Sequence, residues 1–77
     1  MSVRVKFFAS LREQLGRDGE ELDSSTCNTV ADVWEQVSGS RTMPENLLAA
    51  VNLEYVSVSH PVRDEDEVAF FPPVTGG

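Results

Sequence analysis

One stretch of this 77-residue chain has the period of a helix able to cover a sheet. Val30, Val33, Trp34 and Val37 recur at i, i+3, i+4 and i+7, the spacing that puts apolar side chains on one helical face. Thr29 opens this helix, with Asp32 at the capping position. Ser38-Gly39-Ser40 stops it. The flanking segments read as strands, turns and one short helix. A single amphipathic helix can cover only one face of the sheet those strands form. The expected class is therefore α+β, a mixed sheet with one main helix packed on one face. The other face is left to water or a partner.

The strands are read from alternation. Val3 to Ala9 places Val3, Val5 and Phe7 on one face and Arg4, Lys6 and Phe8 on the other. Ser10, with Glu13 three residues later, reads as a capping-box start for a short helix that Gly16 can end. Asp18-Gly19 signals a turn, and Glu20 to Ser25 a second strand. Pro44 marks a loop. Leu47 to Val51 is apolar and too short for its period to separate strand from helix. Tyr55 to Val58 alternates as a strand. Pro61 and Asp64-Glu65-Asp66 make a turn. Glu67 to Phe71 is the last strand, with Val68 and Phe70 opposed to Ala69 and Phe71, and Pro72-Pro73 ends it.

Size and charge narrow the function. A domain of this length buries only about 60% of the surface its unfolded chain exposes, which leaves little room for an internal active site. Thirteen acidic against six basic residues give a formal charge of −7. A phosphate backbone or an acidic membrane would repel such a surface, so neither nucleic acid nor membrane is expected as a partner. The one cysteine, Cys27, cannot make an internal disulfide. The start of the chain runs straight into a strand pattern without a signal-peptide core, and the expected home is the cytoplasm.

No conventional catalytic set stands out. His60 is the one histidine and sits beside Pro61 near a turn, where a loop role is expected. Without a second His or Cys cluster, no metal site is expected. The acidic run Asp64 to Glu67 lacks the ligand spacing of a calcium loop and reads as a solvated turn. Cys27 reads as an inert small residue ahead of the main helix.

The aromatic residues say more. By alternation, Phe8, Tyr55 and Phe71 all fall on the uncovered face. Large rings gathered there mark a binding surface.

The chain divides into a domain over residues 1–72 and a flexible tail over 73–77. Pro72 and Pro73 keep the tail extended and off the sheet. From Pro73 to Gly77 it could reach on the order of 17 Å, at about 3.3–3.6 Å per residue. Gly76 and Gly77 lack a Cβ and can pass a channel too narrow for other residues. An α-carboxylate, with a pKa near 3.3–3.7, is inert until another enzyme activates it.

Phe7-Phe8-Ala9-Ser10-Leu11-Arg12-Glu13, Leu48-Ala49-Ala50-Val51-Asn52 and above all the run from Asp66 to Gly77 resemble the small subunits of molybdopterin synthase. The likeness extends from Val3 to Gly77. It implies a ubiquitin-like β-grasp fold, with the first and last strands parallel neighbours in mid-sheet and Phe8 beside Phe71. It implies that Gly77 is adenylated by a ubiquitin-activating-type adenylyltransferase that uses ATP, then converted to a thiocarboxylate. The tail would enter the large subunit of molybdopterin synthase, a heterotetramer of two small and two large subunits. There its sulfur would pass to cyclic pyranopterin monophosphate, forming the molybdopterin dithiolene. The chain itself would bind no cofactor, and the active site would lie in the large subunit.

By the same resemblance Gly76, with Thr75 and Val74, threads the channel. Phe8, Tyr55 and Phe71, with Pro72 and Pro73, match the docking surface used by both partners. The Gly-Gly chemistry also serves sulfur carriers of other pathways, such as thiazole synthesis, and protein modifiers. The Phe70-Phe71-Pro72-Pro73-Val74 stretch favours molybdopterin synthase. One departure is the turn before Asp66-Glu67, where the family commonly has glycine and this chain has Glu65.

Overall fold

Val3, Val5 and Phe7 are buried while Arg4 and Lys6 face water, as alternation requires of strand β1 (Ser2–Phe7). The computed structural model describes residues 1–39 and 47–72. After β1 come α1 (Ser10–Leu15), β2 (Gly19–Asp23), a 3₁₀ turn (Ser24–Thr26), α2 (Val30–Ser38), β3 (Leu48–Val51), β4 (Glu54–Val56) and β5 (Glu67–Phe71). The expectations for Pro44, for Ser40 and for the tail from Pro73 to Gly77 lie outside the described residues. Among the described residues no helix is long and apolar enough to cross a membrane.

The five strands form one mixed sheet in the order β2-β1-β5-β3-β4. β1 and β5 run parallel, with Val5 opposite Val68 and Phe7 opposite Phe70. The other pairs are antiparallel. A parallel pair joining the first and last strands, with the helix laid across one face, is the β-grasp arrangement.

Helix α2 forms where its caps and its apolar stripe agree. The Thr29 hydroxyl accepts from the Asp32 N–H at 3.3 Å, and the Asp32 carboxylate accepts from the Thr29 N–H at 3.1 Å. This reciprocal box satisfies donors that the first turn would leave bare. Gly39 closes the helix in the left-handed region at φ 69°. Val30, Val33, Trp34 and Val37 are buried against Val3, Val5, Phe7, Val68 and Phe70. Each such side chain contributes about 1.5–3 kcal/mol on burial. Phe70 is the hub, its ring centroid 5.3 Å from Trp34 and 6.4 Å from Phe7. Truncating Phe70 to alanine would cost about 3–5 kcal/mol. Arg17 fastens the far end of α2: its guanidinium donates to the Val37 carbonyl and lies 5.6 Å from the Phe7 ring centroid.

Four local expectations change. Ser10 is not the cap of α1. The cap is Ala9, at φ 53° and ψ −132°, and no side chain caps the helix. Phe8 still pairs with the sheet, its N–H donating to the Phe70 carbonyl at 3.2 Å. The reversal is therefore forced onto Ala9, and Ser10 is already helical. The first strand accordingly ends at Phe7, short of Ala9.

The second strand runs Gly19–Asp23, because Ser24 to Thr26 curl into the 3₁₀ turn that the Asp23 carboxylate caps. β4 is shorter than Tyr55 to Val58. After Val56 the chain leaves the sheet, and the Val58 and His60 carbonyls accept from Ala31 and Val30 at the start of α2. The ambiguous run Leu47 to Val51 resolves as strand β3 from Leu48, since it fills the gap between β5 and β4.

Candidate functional site

The face of the sheet turned away from α2 is floored by two alanines. Ala50 pairs with Ala69 on one side and Tyr55 on the other, and Ala69 pairs with Lys6. Both alanines are buried, at 6% and 9% exposure, although no helix among the described residues covers them. Larger neighbours wall them in: Phe8, Leu53, Tyr55 and Phe71, with Lys6 and Glu67. The result is a shallow apolar dimple suited to a protruding side chain of a partner.

The three rings expected on this face meet there. Phe8 and Phe71 are stacked with centroids 4.8 Å apart and planes 8° from parallel. Tyr55 is tilted against Phe71 at 5.9 Å. The parallel pairing of β1 with β5 brings Phe8 to Phe71, and the β3–β4 hairpin brings Tyr55 in from the other side. Phe8 remains 40% and Tyr55 73% exposed, a cost no monomer needs to carry. Pro72 follows Phe71 directly and is half-buried. Pro73, Val74, Thr75, Gly76 and Gly77 lie outside the described residues; the stacked pair stands at Phe71, the last residue of β5.

Leu53 joins this face without having been expected there. It is 91% exposed and lies at the tip of the β3–β4 hairpin. Its signal in the sequence was an apolar residue in a turn position, after Asn52, where Gly or Asn is usual.

Charge frames the dimple. Lys6 Nζ lies 3.6 Å from Glu67 Oε2, a half-exposed pair of little energetic weight. Glu54, Glu65, Asp66 and Glu67 make that end acidic. The turn uses part of this charge internally. Asp66 accepts from the Arg63 N–H at 2.8 Å and from Asn52 Nδ2 at 2.9 Å, and Asp64 accepts from Ser24 Oγ at 3.1 Å. Among the described residues no cluster of His, Cys, Asp and Glu is placed to hold a metal ion.

Neither His60 nor Cys27 lines the dimple. His60 is exposed on the loop that meets the start of α2. Cys27 is buried in the core on the helix side. Burial pushes its thiol up, and the Asp32 charge pushes the same way. The described part of the chain therefore offers an apolar surface for binding, whose charged lining residues, Lys6 and Glu67, are paired with each other.

Known proteins match this arrangement along its whole length. The chain matches the ThiS family over residues 5–77. It is 44% identical to the molybdopterin synthase sulfur carrier subunit of Escherichia coli, with 97% of this chain and 99% of that protein covered. A solved structure of a putative molybdopterin converting factor subunit 1 from Pyrococcus furiosus superposes with a TM-score of 0.75 at 31% identity, covering 96% and 99% of the two chains. SAMP1 from Haloferax volcanii superposes with a TM-score of 0.82 at 26% identity, each chain fully covered. With its fold, its core strands and its C-terminal run all inside these matches, this chain belongs to the ThiS family.

Proposed function

We propose that this chain is the sulfur carrier of molybdopterin synthase, with Gly77 as the atom-bearing end and the open sheet face as its dock. The observation that carries the reading is the Phe8–Phe71 stack at the end of β5, in a chain with full-length sulfur-carrier relatives. An exposed aromatic platform at the root of a glycine-ended tail lets a partner grip the domain and take in the tail at once.

The chemistry runs in other proteins' pockets. The Gly77 carboxylate attacks the α-phosphorus of ATP on a ubiquitin-activating-type adenylyltransferase, and pyrophosphate leaves. A sulfide-level nucleophile then displaces AMP from the acyl-adenylate, leaving a thiocarboxylate. In the large synthase subunit, Gly76, Thr75 and Val74 span the channel, and the thiocarboxylate sulfur forms a C–S bond to a side-chain carbon of cyclic pyranopterin monophosphate as a C–O bond at that carbon breaks and its oxygen leaves. Hydrolysis returns Gly77 to a carboxylate, and two loaded tails serve each dithiolene. Phe8, Tyr55 and Phe71, with Pro72 and Pro73, hold the domain against either partner in turn.

Intact mass spectrometry of the chain from its native host tests this. The expected species has one oxygen of Gly77 exchanged for sulfur. Deleting Gly77 should abolish dithiolene formation while leaving the fold and large-subunit binding intact. Unmodified chain in cells actively making molybdopterin would overturn the proposal. A second reading, a protein modifier, draws on the likeness to SAMP1. It requires Gly77 linked to lysines of other proteins, which the same mass measurement on lysate proteins would detect.

A further inference from the structure

The β3–β4 hairpin turns through Asn52 and Leu53, at φ 51° and 71°, with Val51 and Glu54 as the closing pair. Two successive left-handed residues make the tight turn that matches strand twist, and glycine or asparagine suits its second position. Leucine there is strained by its Cβ, and this one also leaves its side chain 91% exposed. Stability alone would not keep a leucine at such a place. An observed backbone outlier with an idle apolar side chain points to a role outside the monomer.

The tip is also rigid. The Asn52 N–H donates to the Glu67 carbonyl at 2.8 Å, and the Asn52 side-chain oxygen accepts from the Glu67 N–H at 3.0 Å. Its amide nitrogen donates to Asp66 at 2.9 Å. Leu53 is thus held on a knuckle pinned to the start of β5, and it presents a fixed apolar knob at one wall of the alanine-floored dimple.

We propose that Leu53 is a docking anchor that seats in an apolar socket with a basic rim on the large synthase subunit. The inference rests on the sulfur-carrier reading above. Glu54 follows the knob in the hairpin, Asp66 and Glu67 are hydrogen-bonded to its neighbour Asn52, and Lys6, the cation lining the dimple, is already paired with Glu67. With −7 on the chain overall, the complementary rim is Lys- or Arg-bearing. The dimple connects Leu53 to the Phe8–Phe71 stack, so one partner surface covers both. Leu53 stands at the Glu67 end of β5 and the tail departs from the Phe71 end. At about 3.3 Å per residue, the partner's contact runs about 13 Å along the strand, well past the tail entrance.

The test pairs two readouts of opposite sign on the full chain with purified large subunit: calorimetric affinity and melting temperature. Leu53→Gly and Leu53→Asn relieve the turn and should melt a few degrees higher than the parent. Both should bind roughly tenfold more weakly. Leu53→Met keeps an apolar knob and should bind within about twofold of the parent. Affinity unchanged in the glycine and asparagine variants would overturn the proposal. So would a loss confined to the adenylyltransferase, read from the rate of Gly77 adenylation. If the parent chain shows no affinity for the large subunit, the sulfur-carrier reading itself fails, and that result is distinct from a failure of the Leu53 variants.

Discussion

Phe8 and Phe71 lie face to face, 4.8 Å between centroids, on the side of the sheet turned away from α2. Such a pair contributes about 0.5–1.5 kcal/mol beyond its buried area, so part of its value is structural. The rest is available to a partner, because Phe8 stays 40% exposed. Phe71→Ala should lower stability by about 1 kcal/mol and weaken large-subunit binding by about 2 kcal/mol or more. Urea unfolding and titration calorimetry on the same preparation measure both. Equal losses would make Phe71 a core residue instead of a docking one.

Glu65 sits at φ 69° in the turn before β5, with its N–H donating to the Ser2 carbonyl at 2.8 Å. This gives a physical meaning to the glycine that the family resemblance leads one to expect there, since glycine adopts that conformation without a Cβ penalty. Glu65→Gly should therefore stabilise the fold by about 0.5–1 kcal/mol, the relief of left-handed strain less the entropy glycine adds to the unfolded chain. A lower urea midpoint for the variant would show that the side chain has a contact that matters more than the strain.

Much of this was readable before any coordinates. Val3, Val5, Phe7 and the α2 stripe have clean periods because one face of each is buried and the other is wet, so pattern and burial coincide. The same alternation put Phe8, Tyr55 and Phe71 on one face. Ser10 departs from its pattern because a capping box is a local signal, and a non-local hydrogen bond from Phe8 to Phe70 decides where the chain turns. Val58 leaves the strand for a similar reason, since its carbonyl accepts from Ala31 of α2. Leu53 is not legible in the sequence because what sets it apart is a backbone angle, which residue type does not reveal.

Asp32 ties stability to acid pH. The Asn28 and Thr29 N–H groups donate to its carboxylate at 2.9 and 3.1 Å and hold its pKa below the ordinary 3.8. A depressed folded pKa adds stability that is complete above the unfolded value. It is lost as pH falls from 3.8 through the lower folded value. Asp32→Asn should therefore melt below the parent at neutral pH, and the gap should close as pH falls through that window. A gap that persists at the lowest pH would mean that the loss comes from geometry and not from the charge.

Cys27 is the only thiol in the chain, which makes it the one internal competitor for the sulfur chemistry proposed for Gly77. It is 2% exposed, with its Sγ 3.9 Å from the Asp23 carbonyl, and burial raises its pKa. A thiol held protonated in the core is a poor nucleophile. Under native conditions it should react with a disulfide reagent only as fast as the domain opens. Cys27→Ala should cost about 1–2 kcal/mol through lost packing, yet load sulfur on Gly77 and support dithiolene formation at the parent rate. A folded Cys27→Ala variant that fails to load would place the thiol on the sulfur route. The exposed face would then be a dock for a carrier whose reactive group lies inside its own core, and full access to Cys27 would require α2 to lift from the sheet.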